Sequence, residues 1–227
     1  MMDVKIRPAT VDDVDFITST TILSFSADKD WQYRYRYAAE FPEDHFAFTR
    51  HRILTRTQES TRGAFRVVIA EAAPSESRAD AAVTRVGYGV WHLPGQYEAV
   101  PSPLPPHLQH ERKDADPERL KTYRAITAKA KDEVFRSLSG GNNIDLVQIA
   151  VLPEFRRLGV GGCVVSWGLS LASDMGVPLT LFANDSMSTW YEKKGFRKLG
   201  TVHVQVDGED PSLESIMMAK DCSPSVL

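Results

Sequence analysis

The sequence has few cysteines, no long apolar run and little net charge. Its two cysteines, Cys163 and Cys222, lie far apart, which leaves no CxxC pair, no Cys/His zinc spacing and no framework of secreted disulfides. We therefore expect no metal site. No stretch approaches the roughly 18 consecutive apolar residues of a membrane span, and the opening MMDVKIRPAT lacks the apolar core of a signal peptide. The expected location is cytoplasmic, with the nucleus as the alternative, and no membrane partner is expected.

The charge balance bears on the class of partner. Lys and Arg number 27 against 30 Asp and Glu, a net charge of −3 over 227 residues. A broad nucleic-acid-binding face needs many Lys and Arg contacts to phosphate, so the composition argues against a nucleic-acid partner. The chain is long enough for one large domain or two small ones.

The hydrophobic pattern predicts an α/β protein. Its elements follow the order β-α-α-β-β-α-β-α-β-α-β-β, with no internal repeat. Two segments interrupt this order, a polar stretch at 73–84 and a proline-rich stretch at 94–117, which we interpret as a loose turn and an extended surface excursion. The segment at 144–151 is largely apolar at both its odd and its even positions, so both faces of this strand should be covered and it is expected at the centre of a sheet.

A loop that contains three glycines follows this central strand. Residues 156–162, the glycine loop, read Arg-Arg-Leu-Gly-Val-Gly-Gly and lead into a helix. Glycine lets the backbone come close to a ligand, and the positive end of a helix dipole favours an anion. The loop therefore suits a phosphate or pyrophosphate, although it is neither a Walker A loop nor a GxGxxG loop. A tight turn with surface arginines is the alternative.

A second motif lies one strand and one helix further along the chain. It consists of Asn184 and the run Tyr-Glu-Lys-Lys-Gly-Phe at 191–196. Together the two motifs resemble the GCN5-related N-acetyltransferase (GNAT) superfamily, whose acyl-CoA loop reads Q/R-x-x-G-x-G/A. Arg156, Gly159 and Gly161 match that loop in full.

The resemblance covers residues 144–200, and the rest of the chain matches only in the order of its elements. It implies a three-layer fold in which helices flank a mixed, mainly antiparallel, splayed central sheet. It also implies a single N-acetyltransferase domain over 1–227, with 73–84 and 94–117 as insertions.

The resemblance further implies an acyltransferase that moves an acetyl group from acetyl-CoA, as co-substrate, to a primary amine by direct attack in a ternary complex. Tyr191 would be the general acid toward the departing thiolate, since a nearby phenol can share its proton; a core tyrosine is the alternative. The implied acyl-CoA contacts lie on the central strand, the glycine loop and the second motif: Ile149, Ala150, Val151, Arg156, Arg157, Leu158, Gly159, Val160, Gly161, Gly162 and Asn184.

The general base has a weaker signal. An ammonium acceptor must lose a proton before it attacks, and the central strand offers Asp145 near its beginning, with the non-titrating Gln148 nearer its middle. Asp145 could equally cap the start of the strand or bind a surface lysine. His92, at the end of an earlier strand, is the other candidate, and a surface histidine is its alternative.

The acceptor pocket is expected between the first two helices and at the C-terminal strand pair. In the first region aromatic and basic residues alternate, and we interpret Trp31, Tyr33 and Tyr35, with His92, as the lining of a small-molecule pocket. Stacking on nucleic-acid bases and one amphipathic helical turn are the alternatives. The second region holds acidic residues that could attract a cationic amine or form a solvated hairpin loop: Asp207, Glu209, Asp210 and Glu214.

Other classes of function remain open at this stage. The chain could be a non-catalytic acyl-CoA-binding regulatory module that keeps the glycine loop but lacks a base. It could also be a protein or peptide N-acetyltransferase, including a chromatin-associated modifier. The sequence predicts no oligomeric state.

Overall fold

A computed structural model describes residues 3–60, 63–72, 83–94, 103–210 and 212–222 of the protein. Within these ranges the strands are β1 Val4–Pro8, β2 Phe65–Ala72, β3 Thr84–His92, β4 Ile144–Val151, β5 Leu179–Ala183, β6 Arg197–Val204 and β7 Leu213–Lys220. The helices are α1 Val14–Phe25, α2 Lys29–Arg34, α3 Pro42–Glu59, α4 Pro117–Ala130, α5 Arg136–Ser139, α6 Val160–Met175 and α7 Asp185–Glu192. A π-helical turn, Lys131–Phe135, joins α4 to α5.

The strands form one mixed sheet in the order β1-β2-β3-β4-β5-β7-β6. Of its six strand pairs only β4–β5 is parallel, and the predicted hairpin of β2 and β3 is present. β4 lies at the centre of the order, as its apolar sequence predicted. The prediction of a mixed, mainly antiparallel central sheet is confirmed.

Helices cover both faces of the sheet because successive side chains of β2 point to opposite sides. Val68 and Ala70 pack in the cluster that contains α6. Val67 and Ile69 pack instead against α1 and α3. On the same side as α1 and α3, α4 and the π-helical turn cover β6 and β7. The result is the predicted three-layer arrangement, with the glycine loop at the start of α6 on one side of the sheet and α3 on the other.

α6 lies unusually close to β3, and two glycines make this approach possible. A Cβ atom on Gly168 would lie 2.2 Å from the Trp91 ring, and one on Gly89 would lie 2.6 Å from a methyl of Val164. No side chain larger than hydrogen fits at either position without movement. This contact holds α6 against the sheet and so determines where its N-terminus lies relative to β4.

The two predicted insertions are described only in part, since residues 73–82 and 95–102 lie outside the described ranges. In the second insertion Leu108, Asp114 and Ala115 are buried. The side chain of Asp114 accepts from Arg112 and contacts the His45 ring, with an Nδ1–Oδ2 distance of 2.7 Å. The interpretation of 94–117 as a surface excursion is therefore wrong for its C-terminal part, because an ion pair and a small apolar cluster draw it against α3.

No helix in the described ranges is both long and apolar enough to cross a bilayer. The same ranges contain no group of three or more His, Cys, Asp or Glu residues arranged to hold a metal ion.

Candidate active site

The glycine loop leaves the first backbone N–H groups of α6 without a side-chain cap. Gly159 is the N-cap residue, with φ of 91°, and makes no side-chain capping bond. The first N–H groups of any helix lack partners inside the helix, so those of α6 remain available to an anion. Arg157 also has a positive φ, 64°, in a conformation that non-glycine residues rarely adopt. Arg156 instead donates from Nε to the Val151 carbonyl oxygen at 3.1 Å, which ties the loop to the end of β4.

Residues of α7 and the turn after it form a second wall beside this helix start. A Cβ on Gly161 would lie 3.8 Å from the Trp190 ring, and one on Gly162 would lie 3.2 Å from Nζ of Lys194. Lys194 in turn lies over the Trp190 ring, 4.8 Å from its centroid. The open backbone donors and a neighbouring ammonium group suit the two negative charges of a pyrophosphate.

β4 and β5 diverge after their first three residues. They pair only where Ile144–Leu146 meets Leu179–Leu181. β5 stays paired with β7 as far as Ala183, while the rest of β4 pairs only with β3. The backbone at 149–151 therefore has no strand partner on its β5 side, which is the opening that an added extended chain such as pantetheine could use. The predicted splay is confirmed.

Tyr191 lies on α7 inside the core cluster that contains α6. Its side chain is 4% exposed, and its ring makes edge contacts with Trp190 and Phe196 at centroid distances of 4.9 and 5.5 Å. Burial raises the pKa of the hydroxyl above its ordinary value. Tyr191 is therefore protonated at neutral pH, although burial also makes it a weaker acid, and its catalytic role stays a prediction.

Asn184 has a structural task that the sequence motif did not reveal. Its Oδ1 caps α7 by accepting from the Met187 N–H at 3.0 Å and from the Ser186 hydroxyl at 2.8 Å. Its Nδ2 donates to Asp28 at 2.7 Å, and Asp28 in turn caps α2 by accepting from the backbone N–H of Trp31. Asn184 thus fastens α2 to α7. A contact with acyl-CoA stays a prediction.

The two candidate bases lie side by side. His92 of β3 is the cross-strand partner of Asp145 of β4, so the two side chains share a face of the sheet. Asp145 is buried, forms an ion pair with Lys131 and accepts from the Thr180 hydroxyl at 3.1 Å, so the lysine-binding alternative describes its present contacts. Burial lowers the pKa of His92, against the opposing charge of Asp145. A neutral imidazole can accept a proton, so His92 stays a candidate base.

The aromatic run of α2 is divided between two clusters. Trp31, Tyr33 and Tyr35 are all buried, but Tyr33 packs in the cluster of Val204, whereas the other two form a separate cluster. Trp31 donates from Nε1 to Nε2 of His45 at 3.1 Å. The helical-turn alternative describes the backbone here, and of these three aromatics Tyr35 has the most charged surroundings.

The acidic C-terminal loop is partly neutralised by neighbouring basic groups. Glu209 forms an ion pair with the buried Arg119 at 2.7 Å, and Glu214 lies 3.3 Å from His203 on the surface. Asp207 is exposed. These contacts leave less negative charge for attracting a cationic amine than the sequence suggested.

Comparison with known proteins supports the architecture rather than a detailed activity. No protein-family model matches the sequence, and no curated protein matches it significantly. Among solved structures, the chain is similar over its full length to histone acetyltransferase HPA2 and related acetyltransferase from Corynebacterium glutamicum, with a TM-score of 0.58, 16% identity and 100% of both chains covered. The chain has the fold of the GCN5-related N-acetyltransferases. The resemblance read from the two motifs is confirmed at the level of the fold.

Two further structures with the acetyltransferase fold carry the coenzyme. PaiA N-acetyltransferase from Thermoplasma acidophilum, in complex with coenzyme A, has a TM-score of 0.53 and 12% identity, with 97% of this chain and 99% of that one covered. A phosphinothricin acetyltransferase from Sinorhizobium meliloti, in complex with AcCoA, has a TM-score of 0.54 and 15% identity, with 99% and 91% covered.

Sequence reasoning missed several residues that this acetyltransferase fold brings to the site. Lys194 lies within the second motif but was not assigned a contact, and Lys131 reaches Asp145 from a separate element, so no local pattern marked that ion pair. Arg52 and Arg56 lie four residues apart on α3, a spacing that places both on one face of the helix.

Proposed function

We propose that this chain transfers an acetyl group from acetyl-CoA to the primary amine of a small-molecule acceptor. One observation carries the proposal: the divergence of β4 from β5 and the uncapped N-terminus of α6 occur at the same end of β4. A coenzyme with an extended amide arm and a pyrophosphate needs these two features together. Coenzyme A and AcCoA in two structures of the same fold support this assignment.

Different parts of the chain would bind different parts of the coenzyme. The N–H groups of the glycine loop, with Lys194, would hold the pyrophosphate, and the free edge of β4 at 149–151 would hold the pantetheine arm. Acetyl-CoA supplies an acyl group activated as a thioester. Backbone N–H groups of β4 would polarise the thioester carbonyl, and binding of the amine beside it would orient the attack.

Two side chains would move protons. His92, neutral at pH 7, would accept the proton of the attacking amine directly or through one water, with Asp145 beside it to stabilise the resulting imidazolium. Tyr191, kept protonated by burial, would donate to the sulfur of CoA as it leaves. Cys163 is not needed as a nucleophile in direct transfer.

The test is release of CoA thiol from acetyl-CoA in the presence of a library of primary amines, followed by mass spectrometry of the products. We expect a product 42 Da heavier than one of the amines, on the order of the mass of an added acetyl group, and loss of turnover on Tyr191→Phe. Thermal stabilisation by CoA without thiol release against any amine would overturn the proposal in favour of a non-catalytic acyl-CoA-binding module.

A further inference from the structure

Two arginines on α3 lack an acidic partner. Arg52 and Arg56, the arginine pair, lie one helical turn apart and are both partly buried. Throughout the described ranges no Asp or Glu forms an ion pair with either of them. Other arginines nearby are neutralised: Arg34 pairs with Asp30 at 2.9 Å.

The contacts of Arg52 are aromatic rather than acidic. One Nη donates to the Tyr35 hydroxyl at 2.6 Å, and the guanidinium lies 5.4 Å from the centroid of the Trp31 ring. Its Nε and its other Nη are buried without a hydrogen-bond partner. These N–H groups form the edge of the guanidinium that normally grips a carboxylate or phosphate with two parallel bonds.

This arrangement is costly for the fold alone. Like charges four residues apart on a helix repel, and each buried donor left without a hydrogen-bond partner destabilises the folded state. Burial, with the positive charge of Arg52, lowers the pKa of Arg56 to about 10. A bound anion would offset the repulsion between the two arginines and would accept from the unpaired donors.

The arginine pair lies on the face of the sheet that carries α1 and α3. α3 covers the face opposite α6, so the pair is separated by the sheet from the helix start assigned to the pyrophosphate. The Arg56 guanidinium lies 5.3 Å from the centroid of the Phe65 ring, which in turn makes an edge contact with the His92 ring at 5.0 Å. The Phe65 ring therefore lies between Arg56 and His92.

The charged cluster also borders solvent. The Arg112 guanidinium lies 5.0 Å from the Tyr35 ring centroid, and Arg112 lines a surface groove of about 600 Å³ together with Leu120 and Arg124. Arg52 and Arg56 do not line this groove themselves, but both keep part of their own side chains exposed.

We propose that Arg52 and Arg56 bind an anionic oxyacid group, a carboxylate or a phosphate, on the acceptor and so direct its amine toward His92. The acceptor class is then amino acids or phosphorylated amines rather than cationic polyamines. The inference rests on the proposed acetyl transfer for its substrate role, whereas the anion site itself is independent of that activity.

The first test compares amines that differ only in the acidic group: phenylalanine with phenethylamine, and phosphoethanolamine with ethanolamine. We expect one acidic member to exceed its neutral partner by roughly 10- to 100-fold in kcat/KM, the range of a charge-assisted contact. Arg56→Met should abolish this preference. Arg50→Met is the matched control, because Arg50 lies on the same helix but pairs with Asp15 at the surface, and it should keep the preference.

The second test needs no acetyl transfer. Inorganic phosphate or phenylacetate should raise the Tm of the wild-type protein and of Arg50→Met but not of Arg56→Met. The Tm of Arg56→Met without ligand should exceed that of the wild type, because a repelling charge has been removed. A rise in Tm with the anion that requires Arg56, in a protein that acetylates no amine, would overturn the proposed function and support the anion site. Neutral amines turned over as fast as acidic ones, with equal shifts in all three proteins, would overturn the anion site and leave the function.

Discussion

The substitution Gly161→Asp should weaken coenzyme binding without destabilising the fold. Gly161 is the second residue of α6, and a Cβ there meets nothing closer than the Trp190 ring at 3.8 Å. An acidic side chain in the first turn of a helix gains about 0.3–1 kcal/mol from the dipole, and replacing a helical glycine removes part of its entropy cost. The variant should therefore melt at or above the temperature of the wild type.

The same carboxylate should weaken CoA binding strongly. At ~6 Å and an effective dielectric of ~40, two unit charges repel by ~1.4 kcal/mol, and a pyrophosphate presents two such charges. The expected loss is about 3 kcal/mol, or roughly 100-fold in Kd. Isothermal titration calorimetry with CoA measures the loss, with Gly161→Ala as the uncharged control.

Acetyl-pantetheine, which lacks the pyrophosphate, provides an internal reference. Its turnover relative to wild type should fall far less in Gly161→Asp than that of acetyl-CoA. A folded Gly161→Asp protein that binds CoA within about threefold of the wild-type Kd, less than 1 kcal/mol, would refute the placement of the pyrophosphate at α6.

Three other predictions concern packing, catalysis and pH. Gly168→Ala should lower the free energy of unfolding by about 1–3 kcal/mol in urea titrations, because its Cβ would overlap the Trp91 ring; an unchanged midpoint would contradict the close packing of α6. Tyr191→Phe should lower kcat by roughly 100-fold or more with near-unchanged CoA affinity, and unchanged turnover would exclude it as the acid. Burial opposes ionisation of Tyr35, but Arg52, Arg34 and Arg112 together lower its pKa from 10.0 to about 8. Because the folded protein then loses the Tyr35 proton at a lower pH than the unfolded chain, the free energy of unfolding should rise between pH 8 and pH 10. The expected rise is ~2 kcal/mol in the wild type relative to Tyr35→Phe. Parallel pH profiles of the two proteins would show that these charges do not act on Tyr35.

Much of the fold could be predicted because its signals are local. The bounds of β4 agree with the apolar segment at 144–151, and the glycine loop follows that strand and leads into α6. Each of these features depends on residues that are neighbours in the chain.

The interpretation failed where distant contacts decide burial. The prolines of the second insertion indicated a surface segment, but His45 and Arg112 hold Asp114 in the interior. The pocket lining predicted from Trp31, Tyr33 and Tyr35 stays a prediction, although Tyr33 packs in a different cluster from the other two. Composition describes what a segment prefers in isolation, and ion pairs with other elements can override that preference.

The sequence by itself determined the order of the strands and the class of fold, because periodicity, glycine positions and motif spacing are properties of contiguous residues. Only the tertiary structure decided the rest. Strand register determines how far β4 and β5 stay together and places His92 opposite Asp145. Helix packing brings Arg52 against Tyr35, and no acidic residue in the described ranges pairs with it, since which charges meet depends on how separate elements dock.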